Sequence, residues 1–105
     1  MIEVFDGQGV PQNLDELLAK GGEGSIYPLR GRPEILIKVY HPDIVAKRGK
    51  SLQEKIDFMC QIEELKKDRR LSWPLLSVYN KKKQWIGYAM YRAKGQPMFK
   101  LAHTM

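Results

Sequence analysis

The chain has 105 residues, 43% of them hydrophobic and 29% charged, which gives room for one small domain around one core. No apolar run approaches the roughly 20 residues that span a bilayer, and the opening "MIEVFDGQG" lacks the basic and apolar regions of a signal peptide, so a cytoplasmic protein is expected. Eighteen basic against twelve acidic residues leave a net charge of +6, which raises nucleic acid or another anion as a partner.

The cations are spread, with denser spots only at "KKDRR" (66–70) and "KKK" (81–83). Tyr79 and Trp85 flank the second spot, fewer aromatics than the stacking platform of a single-strand binder requires. These spots read as a solvated helix end and a solvated turn, and nucleic acid is not the expected partner. The single cysteine, Cys60, has no internal disulfide partner and reads as a buried structural thiol.

In chain order, "IEVF" predicts a short strand and "DGQGVPQN" a loop. "NLDELLAK" is ambiguous: Leu14, Leu17 and Leu18 have helical spacing, but the segment is short and its second half, running into glycines, reads as extended. "GSIYPL" is β-prone, "RGRP" is a turn, and "EILIKVY" is the clearest strand, rich in β-branched and aromatic residues. These segments predict an antiparallel meander with the Gly-rich turn at one end. Pro42 and Gly49 then punctuate a basic loop. Ser51 is placed to cap a helix over 51–67, with Glu54 at capping-box spacing. Leu52, Ile56, Met59 and Glu63 fall on one helical face, and the cations of "LKKDRR" suit the negative end of the helix dipole. "WPLLSVYN" and "QWIGYAMY" predict two strands around "KKK", and "RAKGQP" reads as a linker. The expected architecture is α+β, a five-stranded antiparallel sheet with one main helix.

Lys38, inside "ILIKVY", is the odd residue. An unpaired ammonium is costly to bury, so the strand is either exposed or supplies the lysine with a partner. The Gly-rich turn, the lysine strand, the helix with an inward carboxylate and two closing strands resemble, in that order, the N-terminal lobe of a protein kinase over residues 16–96. Residues 1–15 would then be an extension and 97–105 a tail leading toward a second lobe. Gly21, Gly24 and Ile26 match the second glycine, third glycine and valine of G-x-G-x-x-G-x-V, and "ILIK" matches V-A-I-K. The resemblance implies ATP as cofactor, with Gly21, Gly22, Gly24 and Ile26 around it and Lys38 on its α- and β-phosphates, paired with a helix carboxylate. Glu63 is that carboxylate by its place on the apolar face, with Glu64 and Glu54 as alternatives and an ordinary exposed glutamate an equal reading. Met90 stands at the gatekeeper position, and Tyr91, Arg92 and Ala93 would form the hinge bordering adenine. "GGEGSIY", "KVYHP" and "WP" look most like a bacterial group of eukaryotic-like Ser/Thr kinases. Against this stands a plain hairpin whose lysine snorkels from an edge strand.

The pattern also departs from the family. Ala19 replaces the first glycine, and Glu23 puts a carboxylate at the loop tip, where triphosphate would repel it. Nothing matches H-R-D-x-x-x-x-N or D-F-G, which supply the base and the magnesium ligands. ATP binding is therefore expected to be weak or absent in this chain alone, magnesium to be held only with a second lobe, and phosphoryl transfer to need that lobe as partner. The parent protein would be a kinase, and this chain alone inactive. The alternative is a non-catalytic interaction module, a pseudokinase-like half domain, with self-association through the surface a second lobe would cover.

Overall fold

The computed structural model describes residues 3–68 and 71–92. Strands β1 (Val4–Phe5), β2 (Pro11–Gln12), β3 (Ala19–Lys20), β4 (Gly24–Leu29) and β5 (Arg32–Tyr40) come first. Helices α1 (Pro42–Met59) and α2 (Glu63–Lys66) follow, then strands β6 (Pro74–Tyr79) and β7 (Trp85–Tyr91). All strands pair antiparallel in one sheet of order β2-β1-β6-β7-β5-β4-β3. The α+β class is as expected, but among the described residues the sheet has seven strands and not five.

The two additional strands come from the stretch read as an extension. Asp6 Oδ1 accepts hydrogen bonds from the amides of Gln8 and Val10, both 2.9 Å, and Gly9 takes a positive φ of 85°. This Asx-type turn folds β2 back onto β1, and Phe5 pairs with Tyr79 to join both to the sheet. "DGQG" is thus a hairpin turn. The ambiguous segment after it is extended and follows the outer edge of β4, through Asp15 N to Pro28 O, Leu18 N to Ile26 O and Arg30 N to Asn13 O, at 2.8–2.9 Å. Its helical leucine spacing has no core behind it, since Leu17 and Leu18 are both exposed.

Strand β5 is central, paired on one side with β4 and on the other with β7. Alternation sends Leu36 and Tyr40 to the helix face, where they pack with Ile26, Leu52, Ile56, Trp85, Tyr88 and Met90. Ile35, Ile37 and Val39 go to the opposite face with Val4, Val78 and Ala89. At Gly87 the chains approach so closely that a β-carbon would lie 1.8 Å from the Lys38 carbonyl oxygen.

The helix departs from its expected bounds at both ends. It begins at Pro42, since proline at the first helical position has no amide to leave unsatisfied and Asp43 adds an acidic side chain to the first turn. Gly49, read as a loop residue, is carried within the helix. At the other end, Trp73 Nε1 donates to the carbonyl oxygen of Met59 at 2.7 Å, satisfying one of the orphan acceptors that terminate a helix. Half-buried Cys60 is the C-cap, and burial pushes its thiol pKa up. Among the described residues no helix is long and apolar enough to cross a membrane.

Candidate functional site

The site is built around Lys38. Its cross-strand neighbours are Ile26 on β4 and Tyr88 on β7, so the lysine stands in the middle of the sheet, and alternation puts it on the helix face beside Leu36 and Tyr40. Its side chain is 3% exposed. Nζ lies 3.8 Å from Glu23 Oε1 and 4.9 Å from the centroid of the Tyr40 ring, and it makes no hydrogen bond. Burial pushes the Lys38 pKa down, and the Glu23 carboxylate offsets part of that shift.

Around the ammonium are further groups that burial has altered. The Tyr88 hydroxyl is buried with no hydrogen-bond partner, and desolvation holds its pKa well above the usual phenol value. Tyr40, tilted against Tyr88 and Trp85, is pushed up to about 12, first by burial and then by Glu23. An ammonium and a phenol, both deeply buried and both without a hydrogen bond, are costly in a core, and each is a donor that an anionic group would satisfy.

The Gly-rich turn sits between β3 and β4, closed by Gly21 N to Gly24 O at 2.9 Å. It is fastened to the N-terminus of α1 by His41, whose amide donates to Glu23 O and whose Nε2 donates to Gly21 O, both at 2.9 Å. The three glycines differ in what requires them. A β-carbon at Gly24 would stand 2.4 Å from the Val39 carbonyl oxygen, so strand packing alone demands glycine there. At Gly21 and Gly22 a β-carbon would meet nothing within 4 Å. Packing does not explain those two, and they leave the turn open to the approach of another molecule.

Of the residues expected around the nucleotide, Ile26 and Met90 are core residues, neither more than 2% exposed. Tyr91 pairs with Ile35, the Arg92 amide donates to Glu34 O at 2.8 Å, and Ala93 lies outside the described residues.

The structure does not bring Glu63 to Lys38. Because α1 ends at Met59, Glu63 belongs to the separate α2, is 72% exposed, and pairs with Lys66 at 3.2 Å. Glu54 and Glu64 are exposed as well. The carboxylate on α1 that turns toward the sheet is Asp57, which accepts a hydrogen bond from Ser77 Oγ. Glu23 is the acidic partner of Lys38, and its other oxygen lies 3.4 Å from Arg48 Nη1. Sequence reasoning missed this use of Glu23, along with Arg48, His41 and Tyr88. The one signal was a carboxylate set between the glycines of a turn that precedes a buried lysine. Glu63→Ala is accordingly expected to change stability by less than about 0.5 kcal/mol, as for an exposed pair. Urea titration of the variant measures this, and a loss several times larger would restore Glu63 to the Lys38 environment.

No family model matches the chain, and no solved structure matches it. Over 96 residues, 90% of its length, the chain is 27% identical to Protein kinase YegI of Escherichia coli (strain K12), of which it covers 14%. The chain is therefore similar to a fragment of a protein kinase, over a stretch that takes in the turn, Lys38 and the helix.

Proposed function

We propose that the chain is the nucleotide-facing N-terminal lobe of a kinase-like protein, in which Lys38 and the Gly-rich turn receive the phosphates of ATP. The observation that carries this reading is Lys38 itself. Its ammonium is almost wholly buried, on the helix side of the sheet beside the Gly-rich turn, with no hydrogen bond to satisfy it. The open glycines Gly21 and Gly22 and the similarity to a kinase support the same reading. ATP supplies the anionic charge that would make a buried ammonium at this place favourable. Transfer of the phosphoryl group requires a base and magnesium ligands that no motif in this sequence offers, and a second lobe is the proposed source of both.

A second reading draws on Ile26 and Met90, which are expected around the nucleotide but are buried in the helix-face core. A non-catalytic interaction module would have that property. The two separate on one measurement. The nucleotide-binding reading expects ATP, titrated into the isotope-labelled chain, to shift the amide resonances of Gly21, Gly22 and Lys38, with a dissociation constant weaker than about 1 μM because small-ligand affinity depends on enclosed sites, and with no hydrolysis. Saturating ATP without any shift at these residues would overturn it in favour of the module.

A further inference from the structure

Glu23 occupies an unusual place. It is the tip of the Gly-rich turn, and its carboxylate spans two cations that come from different elements. Oε1 lies 3.8 Å from Lys38 Nζ of β5, and Oε2 lies 3.4 Å from Arg48 Nη1 of α1. The side chains grade from inside to outside: Lys38 is 3% exposed, Glu23 38% and Arg48 54%. The carboxylate therefore reaches in from the protein surface to a buried ammonium, along the direction from which a soluble anion would come. The turn's backbone is held by His41 at Gly21 and Glu23, so the Glu23 side chain can swing out on its own rotamers without moving the turn. Its grip on Lys38 is incomplete, since Nζ makes no hydrogen bond.

We propose that Glu23 is an internal stand-in for the ligand's phosphate: in the free chain it bridges Lys38 and Arg48, and a nucleotide binds by displacing it and taking over both cations. This rests on the nucleotide-binding reading above and adds two residues to it. Glu23 sets the affinity, because ligand binds only the fraction of molecules in which the carboxylate has left. Arg48, which no motif singles out, becomes the second phosphate-binding cation, a task suited to a guanidinium that presents several donors to oxyanions.

ATP titrations followed by nuclear magnetic resonance on the wild type, Glu23→Gln, Lys38→Met, the double variant and Glu23→Gln/Arg48→Gln test this. Glutamine keeps the size of the side chain at a partly exposed turn, and urea unfolding of each variant checks that the fold survives loss of the Lys38 partner. Glu23→Gln is expected to tighten ATP binding about fivefold, the gain that follows if the carboxylate is in place in about four molecules of five. In the Lys38→Met background it should give no gain, and Arg48→Gln should weaken the tightened variant at least about threefold. Unchanged affinity in Glu23→Gln would overturn the inference and leave the nucleotide reading intact. An equal gain with and without Lys38 would also overturn it, since Glu23 would then act only through net charge. If neither the wild type nor Glu23→Gln binds ATP, the nucleotide reading falls and this inference with it.

Discussion

Gly87→Ala is expected to destabilise the chain by about 3 kcal/mol or more, the upper range for overpacking a close-packed interior. The β-carbon would stand 1.8 Å from the Lys38 carbonyl oxygen, 2.9 Å from its carbonyl carbon and 3.2 Å from Val39 Cα. All three are backbone atoms, so no rotamer change relieves the clash. Relief requires β7 to part from β5 at the Val39–Gly87 pair, and these two strands carry Tyr88, Ala89 and Met90 against Leu36, Ile37 and Lys38. Separating them would open both faces of the core. Urea unfolding followed by circular dichroism gives the measurement, with Gly22→Ala, where a β-carbon meets nothing within 4 Å, as the control. Equal midpoints for the two variants would show that the sheet accommodates the methyl group.

The second large effect has the opposite sign. Lys38→Met is expected to stabilise the chain at neutral pH by about 1–3 kcal/mol, because a well-packed apolar side chain replaces a buried, poorly paired charge. It should at the same time weaken ATP binding at least about tenfold. Methionine nearly matches the lysine stem and keeps a favourable contact with the Tyr40 ring. The pH dependence follows from the lowered Lys38 pKa. The unfolded chain holds the lysine proton up to about the ordinary lysine value of 10.5, whereas the folded chain releases it at lower pH. Between these two values the unfolded state binds more protons, so wild-type stability rises with pH. The penalty is full below the folded pKa and fades toward 10.5, and the advantage of methionine should shrink over the same window. A variant less stable than the wild type at pH 7 would mean that the Glu23 pair outweighs desolvation.

Much of the sheet was legible because its signals are local. "EILIKVY" alternates two faces of one strand, and β4, β6 and β7 each lie between clear turn residues. The position of Lys38 on the helix face follows from the same alternation. Features fixed by tertiary partners were not legible. The helix stops at Met59, whose carbonyl oxygen accepts from the Ile62 amide and from Trp73 Nε1, 14 residues away, and that truncation moves Glu63 off the face its spacing predicts. At the other end Pro42 carried a helix-start signal that was read as loop punctuation. Of the N-terminal strands "IEVF" was legible as β1, but β2 and the joining of both to the sheet depend on an Asp6 turn and on Phe5 finding Tyr79, a pairing no short-range pattern encodes. Glu23 was visible as an anomaly in a phosphate-type loop, but the cations that hold it lie 15 and 25 residues further along the chain.

The short outer strands have a consequence for solution behaviour. A small open sheet would ordinarily risk joining other copies through unpaired strand edges. Here β5 and β7, which carry most of the core, lie inside the sheet. The outer side of β4 is occupied by the chain from Asn13 to Lys20 through main-chain hydrogen bonds. On the other flank, β6 starts with Pro74, which has no amide to offer, and ends at Tyr79, where Phe5 is already paired. Among the described residues the outer side of β6 is left unpaired only between these two ends, a short template on which a second copy would have to extend the sheet.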